Sequence, residues 1–537
     1  MRIRTVPTVL AAALLAVAAC GGGDGPRRAS VAARSYYEDY PASAEENMNR
    51  TAGAPQPATD GAAQPATTVV PEPLPPGPLE DNTFVDVGDS TFVATADDAE
   101  STFALDVDTG SFAVAQAFLD EGTRPDPDAI RTEEWLNAFD YGDPAPTEDA
   151  LGVTVEAGPA PRADDGTALV RIGVTTQELA TEDRPPANLT FVIDTSGSMD
   201  IRERLGLVKS SLALLVQHLR DDDSIAIVTY GDDATPVLEP TPVADAERII
   251  AAIDELQPGG STNMEAGLRQ GYEQARRTLR PDALNVVVLA SDGVANVGVT
   301  DASVLTDEIT QAGEEGVHLV TVGYGMGNYN DALMEQLADR GDGFYSYVDT
   351  FEEAERLFVD ELTPTLTVVA AEAKAQVVFD PAVVAEYRLV GYENRGLDDE
   401  KFRDDTVDAG ELGAGHAVTA LYEVRFADRS AQPLARVAPV EAIGEVRLRW
   451  TSPESGQTTE TTAAITMPGG EVPSEAFRLA ATVADLAEVL KGNSVVAERG
   501  IELSDLRAEA QSLADSGVPG ATDLVAVIVA AQSADPF

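Results

Sequence analysis

The chain has 537 residues, enough for two or three domains, and a hydrophobic content of 44% allows a sizeable buried core. Its charge is strongly one-sided: 36 Lys plus Arg stand against 92 Asp plus Glu, for a formal net charge of −56, and only Lys209, Lys374, Lys401 and Lys491 are lysines. Such a polyanion repels nucleic acid, which is bound by Lys and Arg displacing phosphate counterions, whereas acid excess with lysine depletion suits a surface adapted to high salt.

Residues 1–20 read as a lipoprotein signal peptide. Arg2 and Arg4 form a positive start, and the apolar run Val9–Ala19 is too short to span a membrane. Val17-Ala18-Ala19-Cys20 has the form of a bacterial lipobox, so Cys20, the sole cysteine, is the expected lipidated residue. No later segment approaches the ~20 apolar residues of a transmembrane helix, which leaves the lipid as the expected anchor of an exported protein on the cell membrane or outer membrane. Residues 21–80, opened by Gly21-Gly22-Gly23 and rich in Pro, Ala and Thr, are expected to form a disordered tether. As a flexible coil such a tether spans on the order of 40–45 Å.

An N-terminal α+β region is expected over 81–186. It begins with Phe84, Val85, Val87 and Phe92 and passes through Phe103–Gly110 into a helical pattern of Phe112, Val114, Ala115, Phe118 and Leu119. Asp106-x-Asp108-x-Gly110 invites a calcium reading, but an EF-hand loop needs Gly at its sixth position and Glu at its twelfth. Ser111 and Ala117 stand there, so the acids read as turn and cap residues. Leu169–Val174 alternates as a strand does.

Over 187–365 strands alternate with helices. The expected strands are Leu189–Ile193, Ile225–Tyr230, Val286–Leu289, His318–Val322 and Phe344–Val348, and Leu205, Val208, Leu212, Leu215, Val216 and Leu219 mark the first helix. This predicts an α/β, Rossmann-like, doubly wound and mostly parallel sheet, with ligands beyond the carboxyl ends of the strands. Residues 366–537 return to strands (Gln376–Phe379, Tyr387–Val390, Ala417–Val424, Glu445–Trp450) and end in helices over Ser474–Leu490, Ile501–Ala514 and Ala521–Ala531. The flanking regions are expected as two smaller, largely β modules.

Phe191-Val192-Ile193-Asp194-Thr195-Ser196-Gly197-Ser198 is a buried-type strand running into Asp-x-Ser-x-Ser. A carboxylate and two hydroxyls at alternate positions of a tight loop direct hard oxygens at one spot, which is chemistry for Mg²⁺ or Mn²⁺ and not for zinc. Gly259-Gly260-Ser261-Thr262 and the strand ending Ala290-Ser291-Asp292-Gly293 belong at the same rim and offer Thr262 and Asp292.

With these residues the segment resembles a von Willebrand factor type A domain carrying a metal-ion-dependent adhesion site, Asp194, Ser196, Ser198, Thr262 and Asp292 matching its five positions. The resemblance implies Mg²⁺ held by the Ser and Thr hydroxyls, with the acids bound directly or through water. An open position would take an acidic side chain from a partner. Phe103–Phe112, Trp135–Tyr141, Gly325–Asp331 and Gln336–Gly341 further resemble a group of bacterial A-domain lipoproteins with dedicated N- and C-terminal regions, often labelled calcium-activated chloride channel homologues. A pore would need spanning segments. Many members carry an acid after the second-loop Asp-Gly, where this chain has Val294.

Enzyme signatures are missing. His218, His318 and His416 are scattered, and His-Glu-x-x-His, Gly-Lys-Ser/Thr and Gly-x-Ser-x-Gly are all absent. The expected function is Mg²⁺-dependent binding of a protein or other carboxylate-bearing surface ligand, with no catalysis. Two rivals stand beside it: an assembly or chaperone subunit whose flanking modules bind the partner while the metal is structural, and a metal-dependent hydrolase, which would need a positioned base.

Overall fold

The computed structural model describes residues 33–42, 84, 88–105, 107–163, 165–180, 184–292, 302–325, 330–361, 367–393, 395–404, 407, 409–427, 440–467 and 473–535. The expected signal peptide with Cys20, most of the expected tether, and Gly293 and Val294 lie outside them.

In chain order, the N-terminal part supplies β1 (Val93–Ala94), β2 (Glu100–Ala104), helices Gly110–Asp120 and Thr132–Asn137, and the hairpin β3 (Leu151–Pro159) and β4 (Ala168–Thr176). The central part supplies β5 (Ala187–Asp194), β6 (Ser224–Tyr230), β7 (Ala234–Pro242), β8 (Leu284–Ser291), β9 (His318–Tyr324) and β10 (Tyr345–Val348), with helices between them. The C-terminal part supplies β11 (Val368–Phe379), β12 (Val384–Val390), β13 (Gly396–Leu397), β14 (Gly410–Gly413), β15 (Ala417–Phe426), β16 (Val440–Thr451) and β17 (Thr458–Met467), then four helices from Glu475 to Ser533.

The central sheet runs β10-β9-β8-β5-β6-β7, parallel throughout except for the antiparallel edge strand β7. This is the doubly wound α/β fold. Every residue of β5 is buried, as expected of a strand with helices on both faces. Its period of two sorts Leu189, Phe191 and Ile193 to one face, against helix Leu207–His218, and Val192 to the other, against helix Met264–Arg277. Gly267 and Gly271 lie one turn apart on the latter helix. A Cβ there would come within 2.6 Å of the Tyr230 ring and 2.3 Å of Val192, so only glycines let this helix lie flush on β5 and β6. The edge strand β7 is not evident in the sequence because Pro236, Pro240 and Pro242 interrupt it, which an edge tolerates.

Three expectations are corrected, the third of them at Asp108 below. Residues 33–42 fall within the expected disordered tether, yet Ala33–Glu38 is helical and docks on the central domain. Tyr36, Tyr37 and Tyr40 pack against its core, because three aromatics in five residues carry enough apolar surface to offset ordering. The flanking regions, expected as separate modules, are one. They form two antiparallel sheets, β1-β12-β15-β4-β3 and β13-β2-β11-β16-β17 with β14 on β11. N-terminal β4 pairs with C-terminal β15 from Ala168↔Val424 to Thr175↔Ala417, and β2 lies between β11 and β13. A shared core holds Phe103, Val170 and Ile172 beside Phe379, Tyr422 and Trp450. Alternation in a sequence reveals a strand's buried face but not its neighbour, which is why the two halves read as independent.

The C-terminal helices Glu475–Lys491, Leu503–Asp515 and Ala521–Ser533 pack with Phe112, Trp135 and Phe139 in a further core. No helix among the described residues is long and apolar enough to cross a membrane. Asp108, expected as a turn or cap residue, instead ties modules together: it accepts from the Tyr345 backbone N–H of β10 and pairs with Arg395 at 3.1 Å.

Candidate metal centre

In the central sheet the chain leaves β5 toward β6 on one side, while β8 continues to β9 on the other. The crevice between the carboxyl ends of β5 and β8 is therefore a topological switch point, where open α/β sheets hold their ligands. Ile193 stands opposite Ala290 in this pair, so the residues that follow, Asp194 and then Ser291-Asp292, emerge side by side.

Asp194 ends β5 fully buried. Its Oδ1 accepts from the Ser196 backbone N–H at 2.8 Å and its Oδ2 from Ser291 Oγ at 3.1 Å. Thr195 then points back, donating through both its backbone N–H and its Oγ1 to the Tyr230 carbonyl at the end of β6. This turns Ser196 and Ser198 to a common side, their Oγ atoms 2.9 Å apart. The loop that carries Thr262 is fastened to the first: Gly197 N–H donates to the Gly260 carbonyl and Gly259 N–H to the Thr195 carbonyl. Gly260 has φ of +91°, and a Cβ would lie 3.0 Å from the Asp232 nitrogen, so glycine is required where the loop turns back. The Asp232 carboxylate fixes the next residue by accepting from both Ser261 N–H and Ser261 Oγ. Thr262 is fully buried, and Asn263 caps the helix that follows.

Asp292 follows β8, also fully buried. Its Oδ2 accepts from Arg204 Nη1 at 2.7 Å, and the same nitrogen donates to the Ser198 carbonyl at 2.9 Å. Asp292 Oδ1 has no hydrogen-bond partner among the described residues. Burial, and then the neighbouring Asp292 charge, push the Asp194 carboxyl up to about 7. Burial followed by the Asp194 charge drives the Tyr230 phenol well above its ordinary value, so it stays neutral.

Asp194, Ser196, Ser198 and Asp292 thus come to one crevice, and the loop that carries Thr262 is fastened beside it. Two carboxylates and three hydroxyls form an all-oxygen donor set, which fits Mg²⁺ or Mn²⁺. The bare Asp292 Oδ1 fits too, since buried carboxylate oxygens are in general hydrogen-bonded, although Glu133 Oε2 and Glu393 Oε2 share this state among the described residues. No group of three or more His, Cys, Asp or Glu placed to hold a metal ion occurs among the described residues, so the hydroxyls and water would complete a shell. The histidines are elsewhere. His318 Nδ1 lies against the Asp342 carbonyl, and half-buried His416, pushed down to about 4 by desolvation, accepts from the Gly413 N–H.

Four participants escape the sequence motif: Arg204, Tyr230, Asp232 and Ser291. Ser291 could be found as the last residue of a buried strand, and Arg204 as a basic residue soon after an acidic loop. Nothing local marks Tyr230 or Asp232.

Comparison with known proteins places these observations. The von Willebrand factor type A domain model matches residues 188–360, the model for the C-terminal region of protein YfbK matches 364–533, and a von Willebrand factor model matches 78–171. The chain is 39% identical to protein YfbK of Escherichia coli (strain K12) over 411 residues, covering 73% of this chain and 71% of that protein. It is 27% identical to protein sll0103 of Synechocystis sp. over 299 residues, covering 54% and 67%. Among solved structures, a von Willebrand factor type A protein from Catenulispora acidiphila aligns with a TM-score of 0.40 and 16% identity, covering 69% of this chain and 88% of that one.

Proposed function

The chain belongs to the bacterial von Willebrand factor type A proteins related to YfbK, and on that footing we propose that it is a metal-dependent binding protein of the cell envelope. Asp194, Ser196, Ser198, Thr262 and Asp292 hold Mg²⁺ or Mn²⁺, and a carboxylate from a protein or other surface ligand is the partner's contribution. When bound, the metal supplies positive charge at the base of an otherwise acidic crevice. The chain's own part is to present the hydroxyls, keep both carboxylates buried and stitch the loops together. The observation that supports this reading is that Asp194, Ser196, Ser198 and Asp292 come together at the β5/β8 switch point, beside the Thr262 loop, with the buried Asp292 Oδ1 left without a hydrogen bond. Lipidation at Cys20, with attachment to the cell membrane or outer membrane, belongs to the same proposal.

Thermal unfolding in EDTA, Mg²⁺, Mn²⁺ and Ca²⁺ at constant ionic strength tests it. Metal at about 100 times its dissociation constant stabilises a native state by roughly 2.7 kcal/mol. Wild type is expected to gain this with Mg²⁺ or Mn²⁺, and Asp194→Ala to lose the gain while remaining folded. A gain that survives Asp194→Ala sinks the proposal.

A further inference from the structure

Arg204 is buried, projects from the wide helical turn Arg202–Gly206, and places a single nitrogen, Nη1, on both the Ser198 carbonyl and Asp292 Oδ2. It thereby joins the first and third loops of the crevice. Its seat is built: Gly325 ends β9's run with φ of +68°, and a Cβ there would come within 2.7 Å of Arg204 Cγ, so the stem passes where only a glycine leaves room. A guanidinium cannot shed its charge, so this cation is permanent. It is also asymmetric in use, for it engages Oδ2 of Asp292 while Oδ1 keeps no partner among the described residues.

We infer that Arg204 is a resident counter-ion of the metal centre, which compensates Asp292 when metal is absent and opposes metal binding when it is present. The inference rests on the reading of the crevice as a metal site. Two buried acids without a cation would repel each other and pull the loops apart; one fixed positive charge holds the crevice assembled before any metal arrives. The same charge repels a divalent ion a few ångströms away, so the site binds metal more weakly than its donor set alone would allow. The protein then folds independently of metal and gains or loses it as the local concentration changes.

The test compares wild type, Arg204→Gln and Arg204→Lys by calorimetric titration with Mn²⁺ and by thermal unfolding in EDTA and in Mn²⁺. Arg204→Gln is expected to unfold at a lower temperature in EDTA, to be rescued by Mn²⁺, and to bind Mn²⁺ about tenfold or more tightly than wild type. Arg204→Lys, which keeps the charge, is expected to stay near wild type in Mn²⁺ affinity. Equal or weaker Mn²⁺ binding by Arg204→Gln overturns the inference while leaving the metal site standing. Failure of Arg204→Gln to fold even in Mn²⁺ also overturns it, since metal could not then replace the arginine. Absence of Mn²⁺ binding by both wild type and Arg204→Gln overturns the inference and the metal site together, whereas binding by Arg204→Gln alone supports a counter-ion strong enough to exclude metal.

Discussion

Glu133 is fully buried in the helix Thr132–Asn137, and burial, reinforced by the charge of Glu393, pushes its carboxyl up to about 7. The Tyr392 backbone N–H and Arg131 pull it the other way, and Lys491 occupies Glu393 at 3.2 Å. A carboxyl whose folded pKa is raised binds its proton more tightly in the native state, so its contribution is fully present below its ordinary range near 4.5 and is lost as pH rises through about 7. Glu133→Gln keeps the shape without the charge and is expected to gain on the order of 2 kcal/mol relative to wild type at pH 8, with little difference at pH 4.5. Urea unfolding at the two pH values measures this; an equal effect at both would remove the electrostatic account. Residues of this kind were invisible in the sequence, because Glu133 and Glu393 are 260 positions apart along the chain and acquire their relation only in space. The five residues of the candidate metal centre were legible for the opposite reason. Each stands at the end of a strand or beside a glycine turn, so local pattern alone places it on the rim of a parallel sheet.

At the scale of elements, the helix Ala33–Glu38 and the turn after it act as a strap across the central domain. Ser210 Oγ donates to the Ala33 carbonyl, Tyr36 donates to Asp254 and Tyr40 to Asp200, two residues past Ser198. Arg34 pairs with Glu352 and lies 4.1 Å from the Phe351 ring centroid, while Arg202 lies 5.0 Å from that of Tyr37. The exposed ion pair adds little; the half-buried rings carry the docking. Deleting 33–42 is expected to cost about 3 kcal/mol of stability, judged from three partly buried tyrosines. Chemical denaturation of the deleted chain beside the full one checks this, and an unchanged midpoint would mean the strap adds nothing to the fold. The strap was missed because six helical residues inside a long polar and Pro-rich stretch give no periodic signal. The longer helices were read to within a few residues, since apolar spacing persists over several turns in Leu207–His218 and Glu475–Lys491.

At the scale of the whole molecule, the central domain is an insertion in a β module built from both ends of the described chain. Its entry and exit meet: the Gln177 carbonyl accepts from Gly415 N–H and the Thr367 carbonyl from Ala414 N–H, adjacent residues of one turn. An inserted domain with neighbouring ends can be removed without stretching its host. Replacing residues 180–365 by a short Gly/Ser linker is therefore expected to leave a β-rich protein that unfolds cooperatively. It should be less stable than the parent, because Val114 and Phe118 lose the core they share with Tyr345 and Met334. The N-terminal half has no such independence. Within residues 84–180 only the β3–β4 hairpin finds its partner, β2 having neighbours solely in β11 and β13 and β4 needing β15. A lone hairpin is marginal in water, so this fragment is expected to be unfolded by circular dichroism and to gain structure when mixed with residues 367–535. Cooperative unfolding of 84–180 by itself would restore the picture of separate modules. The distinction bears on the candidate metal centre, since the host also grips the inserted domain that carries it, through Asp108 on the Tyr345 N–H of β10 and through Arg395 on Glu335 and Asp339.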